Sequence, residues 1–312
     1  AILTTELFLY PRTPGTLLGI QEELIAAPRL DDLQCVFACT RGFLAAGESE
    51  SVPVLCVFNN EEVGSNTRQG ADSTFLTDIL ARIGEGAGLS GEDYRAAIAS
   101  SFLVSADNAH AVHPAHGEYA DKNEFPVLGG GIVLKYNANQ RYTTDALSAA
   151  VFRQVCRMAE VPVQLYSNRA DLPGGSTLGN ISSAHLSVPS VDIGLPQLAM
   201  HSAVETTGAQ DFEYMISAMT LAAPFRFCLT AACNFEHVFQ ERGNGRAWQR
   251  GRFLSGNRSQ TALEKMSPIK KGDAIMHLPF LSKSCRSEII VHLPPIIPGS
   301  LLSPLHQTLT LL

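Results

Sequence analysis

Two adjacent carboxylates, Glu61 and Glu62, follow directly on the apolar run 54–58 through Asn59 and Asn60. Placed at the end of a strand, such a pair repels itself and loses hydration, unless a cation or a transferred proton separates the two roles. One of the pair can then bind a metal while the other accepts a proton. That division makes Glu62 a candidate ligand and Glu61 a candidate general base. A solvated acidic turn is the competing reading of the pair alone. Three further signals bear on the choice. Asp31 and Asp32 stand just ahead of a helical apolar pattern, where either can cap the helix or hold a metal. Asp107 follows another strand-like run and precedes His110 and His113, while His201 follows the run 191–193 and its loop. Carboxylate oxygen and imidazole nitrogen together suit divalent ions that keep an exchangeable water. His110 and His113 are rival ligands, but loop packing serves their spacing equally well.

Elements that would carry these residues alternate along the first two-thirds of the chain. Strand character is expected at 52–58, 102–105, 131–136, 163–166 and 188–193, and helices at 74–83, 91–101, 144–160 and 211–221. The order implies an α/β domain, a mixed central sheet flanked by helices, since a sheet needs helices to cover its faces. Active groups at strand ends fit such a layering. Gly129, Gly130 and Gly131 lack the spacing of a phosphate-binding loop and read as a turn.

The character of the chain changes near position 223. Residues 1–223 hold 12 Lys/Arg against 25 Asp/Glu, and the remainder 11 against 5. The part from 224 to 312 is an atypical basic tail, with a Gly-, Arg- and Asn-rich stretch at 244–258 and a proline-rich run at 293–304. It is expected to be disordered or foreign to the domain, and dispensable for a metal site.

The 312 residues carry a formal net charge of -7, which argues against a nucleic-acid binder. No segment is long and apolar enough to span a bilayer, and no targeting segment is evident. Seven cysteines without paired spacing suit buried thiols in a reducing cytoplasm, and Cys35 and Cys39 read as the inner face of a helix.

Six stretches carry a family resemblance: APRLDDL at 27–33, NNEEVGSNTRQGA at 59–71, SADNAHAVHP at 105–114, GGGIVLKYNANQRYTTDA at 129–146, GGSTLGNISS at 174–183 and VDIGLPQLAMHSAVE at 191–205. Over roughly residues 1–223 the sequence resembles the M18 metallopeptidases, the aspartyl aminopeptidase family, in particular its bacterial members. The resemblance implies the zinc-peptidase (phosphorylase/hydrolase-like) fold and two divalent ions, zinc with manganese or cobalt as substitutes. It implies that Asp31 bridges the ions, that Glu62 and His201 complete one site and Asp107 serves the other, and that Glu61 is the general base. Lys135, Asn137, Gly174, Gly175 and Ser176 would lie beside a peptide substrate, with a cation available for an acidic first residue. It further implies a homo-oligomer, a dimerisation domain inserted upstream of residue 27, and a second-site His from an upstream HxD motif. No histidine precedes His110 here, so the chain corresponds to the distal catalytic half. The expected activity is removal of N-terminal residues from peptides. The alternative is an inactive or one-metal binding fragment engaged only in subunit interaction.

Overall fold

The computed structural model describes residues 2–49 and 51–223 together with the strands Glu288–Val291 and Thr308–Leu311. In chain order these form β1 (Thr16–Leu18), β2 (Leu24–Ala27), α1 (Leu30–Ala45), β3 (Ser51–Val57), α2 (Phe75–Gly86), α3 (Gly91–Ala99), β4 (Phe102–Ala106), β5 (Ala109–His110), β6 (Ile132–Tyr136), α4 (Ala146–Met158), β7 (Val163–Ser167), α5 (Leu178–Leu186), β8 (Ser190–Gly194), β9 (Pro196–Leu198), β10 (Glu205–Gly208), α6 (Ala209–Ala222), β11 (Glu288–Val291) and β12 (Thr308–Leu311).

Why the central strands form is plain from their two faces. In β4, Phe102 and Val104 face one core while Leu103, between them, faces another; in β3, Leu55 and Val54 divide in the same way. Alternate side chains leave a strand on opposite sides, so a strand covered twice reads as a continuous apolar run. One face receives α1, α4 and α6 through Phe43, Phe152 and Met215, and the other receives α2 and α5 through Leu76, Leu80 and Leu186. Phe43, Phe102 and Phe152 are fully buried. Losing one such ring costs about 3–5 kcal/mol. Local signals fix helix starts: Ser90 accepts a hydrogen bond from the Asp93 backbone ahead of α3, and Asp145 forms a reciprocal cap with Ser148 at α4.

These strands make a mixed seven-stranded sheet ordered β11-β3-β12-β4-β8-β6-β7, in which β3, β12, β4 and β8 run parallel and β6 and β11 are antiparallel to their neighbours β8 and β3. The mixed α/β expectation holds. A second sheet, ordered β1-β2-β10-β9-β5, lies beside it and was not anticipated. Most of the basic stretch 224–312 lies outside the described residues, but β11 and β12 belong to it and join the main sheet on either side of β3.

Two consequences matter for function. The segments bearing Glu61 and Glu62, and Asp107, emerge from the same end of parallel strands β3 and β4. Gly194 lets the end of β8 approach that edge, since a Cβ there would lie 2.0 Å from the Asp107 carbonyl oxygen. No helix among the described residues is long and apolar enough to cross a membrane.

Candidate metal centre

Asp31 and Asp32 open α1 but neither caps it. Both have backbone angles outside the helical region, and the N-cap residue of the helix, Arg29, makes no side-chain cap. Of the two alternatives for Asp31, capping is therefore not the one realised. Its carboxylate is nearly buried, and Asp31 Oδ2 lies 3.2 Å from His201 Nε2, which in turn lies 3.0 Å from Glu62 Oε2. These three ligand atoms fall within 4.8 Å of one another. Two carboxylates and an imidazole meeting at one accessible point match the donor set of a catalytic divalent-metal site with a position left for water.

Two devices hold the three candidate ligands. Glu205, the first residue of β10 and 2% exposed, accepts a hydrogen bond from the Asp31 backbone at 2.9 Å and one from the His201 backbone at 2.8 Å. One buried carboxylate therefore ties the start of α1 to the turn bearing His201. Glu62 sits on a compact loop in which Gly64 N–H bonds Glu61 O and Ser65 N–H bonds Asn60 O. Gly70 closes that loop, since a Cβ there would meet the Ser65 carbonyl oxygen at 2.0 Å. Asn108 binds the α1 entry from the other side: its amide donates to Leu30 O at 2.9 Å and to Asp31 Oδ1 at 3.3 Å.

The electrostatics describe a site built for positive charge. Burial, then Asp107, Glu62 and Glu205, raise the Asp31 carboxyl to about 8. Burial, then Asp107 and Glu62, raise Glu61 to about 7, with Lys135 opposing them. Asp32 is pushed well up, chiefly by burial and then by Asp107. Cations placed among these groups remove the repulsion, so the residues present fit the divalent ions that the donor types suggest.

Asp31, Glu61, Glu62, Asp107 and His201, picked out in the sequence, all border one cleft of about 360 Å³. Lys135, Gly175 and Ser176 border it too. Asn137 and Gly174 do not: the Asn137 amide donates to Asn168, and the Gly174 carbonyl accepts from Arg141. Lys135 is not a solvated surface cation. Its ammonium is buried, donates to Asn108 O at 2.7 Å and stands 3.7 Å from Asp107 Oδ2. His110 borders the cleft, but neither it nor His113 belongs to a group of potential metal ligands among the described residues. Glu205 and Asn108 went unrecognised in the sequence. Their roles appear only when the chain closes on itself, although an acidic residue four positions after His201 was a weak sign. Cys35 and Cys39 lie in the core, as their spacing suggested.

The sequence profile of the family described as aminopeptidase I zinc metalloprotease (M18) matches residues 1–221. A probable M18 family aminopeptidase 2 of Clostridium novyi is 46% identical over 213 residues, covering 68% of this chain and 49% of that protein. Among solved structures, a cryo-EM structure of the Ape4 and Nbr1 complex is similar with a TM-score of 0.61 and 36% identity, over 66% of this chain and 40% of that one. The structure of the S. cerevisiae mApe1 dodecamer is similar with a TM-score of 0.58 and 27% identity, over 68% of this chain and 48% of that one. The chain spans about half the length of the curated relatives it matches.

Proposed function

The chain belongs to the M18 zinc metalloprotease family, and from that premise we propose that it forms the site of a metal-dependent aminopeptidase that removes N-terminal residues from peptides. The observation that carries the reading is the meeting of His201 Nε2 with Asp31 Oδ2 at 3.2 Å and Glu62 Oε2 at 3.0 Å, in a cleft that also contains Glu61. Asp31, Glu62 and His201 would hold one ion, and Asp31 with Asp107 would take part in holding a second. Two such ions, zinc or in its place manganese or cobalt, supply Lewis acidity for the peptide carbonyl and a lowered pKa for water.

The protein's own groups do the rest. Glu61 accepts the proton of the attacking water and returns it to the departing amine. Burial, the largest cause of its raised carboxyl, makes it a better proton acceptor than a solvated carboxylate. Glu205 and Asn108 keep the ligand-bearing backbones in place before substrate arrives. Gly175 and Ser176 form part of the cleft wall along which a peptide can lie. Asn137 and Gly174, one residue or two behind that wall, act by shaping it. Lys135 provides the cation for an acidic first side chain, sharing its charge with Asp107. Assembly into a homo-oligomer, as in the dodecameric relative, and a cytoplasmic setting for the reduced cysteines belong to the same reading.

Replacing Glu61 by Gln tests it. The substitution keeps size and removes the proton acceptor, so turnover of free-amine peptides should fall by about 10²–10⁴-fold while bound metal is unchanged. Peptides with a blocked amine should resist the unsubstituted protein. Equal turnover by Glu61→Gln at equal metal content would exclude Glu61, and equal hydrolysis of blocked peptides would exclude an aminopeptidase.

A further inference from the structure

Two stretches of chain that border the metal cleft meet on one buried carboxylate behind it. Asp192, in β8, is fully buried, is not part of the cleft lining and belongs to no group of potential metal ligands among the described residues. Its Oδ1 accepts a hydrogen bond from the Thr177 hydroxyl at 2.9 Å, and its Oδ2 accepts one from the Thr143 backbone at 2.6 Å. The Asp192 backbone N–H donates to the Thr144 hydroxyl at 2.9 Å. Thr177 borders the cleft directly after Gly175 and Ser176, and Tyr142, the residue before Thr143, borders it as well.

An independent observation concerns Thr177 itself. It is the N-cap residue of α5 and has the extended backbone from which a threonine hydroxyl ordinarily accepts a hydrogen bond from the helix's own N–H groups. It makes no such cap. The helix forgoes that bond while the hydroxyl ties the cleft wall to β8. Gly179, in the first turn of α5, leaves room for the tie: a Cβ there would lie 2.4 Å from Asp192 Oδ1, and its three nearest atoms would all belong to the Asp192 carboxylate. The candidate metal ligands are held separately, by Glu205 and Asn108.

Resting on the aminopeptidase reading above, we propose that Asp192 is a positioning residue for the peptide substrate, fixing the cleft wall formed by Tyr142, Gly175, Ser176 and Thr177. A wall ordered in advance spares the peptide the cost of ordering it on binding. Release of the Thr177 tie transfers that cost to the peptide. Peptide affinity then falls, while metal affinity, which depends on the separate hold of Glu205 and Asn108, stays.

The test uses the full 312-residue chain, loaded with zinc and carrying Glu61→Gln so that a bound peptide is turned over slowly. Calorimetry measures the binding of trialanine with a free amine and of its acetylated form, and zinc titration of the metal-stripped protein is run beside it. Thr177→Val removes the hydroxyl and keeps the shape of the side chain. It should weaken trialanine binding about 10-fold, the lower end of what one hydrogen bond to a charged group is worth, with zinc affinity unchanged. Thr177→Ser keeps the hydroxyl and should restore trialanine binding. Should Thr177→Val not fold, Gly179→Ala takes its place: the added methyl displaces the Asp192 carboxylate from Thr177 while alanine favours the helix, and the same loss is expected. Unchanged trialanine binding in the folded variant, a loss matched by an equal loss of zinc affinity, or a loss that Thr177→Ser shares overturns the proposal. Equal binding of the acetylated peptide before either change would instead overturn the aminopeptidase reading, and binding of neither peptide would overturn both.

Discussion

Glu205 offers the sharpest test of how the site is held, because it belongs to no group of potential metal ligands among the described residues and yet grips two of the proposed ligands through their backbones. Its oxygens receive the Asp31 and His201 amides at 2.9 and 2.8 Å, and it is 2% exposed. Hydrogen bonds to a charged group contribute about 1.5–3 kcal/mol each. Glu205→Gln keeps one acceptor and turns an amide donor toward a backbone N–H, so one of the two bonds is lost. The expected effect is about 2 kcal/mol, or roughly 30-fold if it falls on metal affinity. A second effect acts the other way: Glu205 helps raise the Asp31 carboxyl, so removing its charge eases the deprotonation that metal binding needs. Burial and Asp107 precede Glu205 among the causes of that shift, so placement should outweigh it. Zinc titration by calorimetry at pH 7.5, with urea unfolding of the metal-free protein, separates the two. Weaker zinc binding with a modest loss of stability is expected. Unchanged or tighter binding, with stability within about 0.5 kcal/mol of the original, would refute the argument that Glu205 places the ligands.

The metal-free protein should lose stability as pH rises. Folding raises the Asp31 carboxyl to about 8 and Glu61 to about 7, so between about pH 4 and 8 the folded state holds protons that the unfolded state has released, and stability declines across that window. Thermal melts in a chelator from pH 5 to 8.5 should fall, and zinc should reverse the slope; a rising melting temperature without metal would contradict the burial of these groups. Truncation after Ala223 removes none of the ligands named here, so the shortened chain should still bind an ion at Asp31, Glu62 and His201. It should melt at a lower temperature, because β12 pairs with both β3 and β4; loss of the ion from a folded truncated chain would show that the tail is part of the site.

Much of the main sheet was legible because strands buried on both faces have an uninterrupted apolar run, and β3, β4 and β6 each have one, while in β8 the run is broken by Asp192. Helix α4 was legible through its apolar spacing, and its reciprocal cap at Asp145 marks the start to within two residues of the expected position. The second sheet was hidden for the opposite reason. Its strands are two to four residues long, β1 is exposed throughout and β2 only half-buried, so neither a continuous run nor an alternation could announce them. Helix α5 was hidden by composition: Gly179, Asn180, Ser182 and Ser183 are poor helix formers. What draws that segment in is tertiary. The Thr177 hydroxyl at its start donates to the buried Asp192 carboxylate at 2.9 Å, and Gly179 lets that carboxylate approach closely.

The same division runs through the metal centre. Asp31, Glu61, Glu62, Asp107 and His201 stood out because acidic or imidazole groups next to apolar runs are costly without a purpose, and their cost is local to the sequence. Asn108 and Glu205 carry no such signal, since each is unremarkable until its partner arrives from elsewhere. Glu205 lies 174 positions from the Asp31 amide it binds, and Asn108 lies 78 from the Leu30 carbonyl. A ligand advertises itself by the charge it must bury, whereas the group that aims it does so through backbone hydrogen bonds that any polar residue of the right reach can make. Asp32 falls between the two classes. Its charge was visible beside Asp31, but only the fold reveals that its carboxyl is buried, beside Cys35, with one oxygen left without a partner.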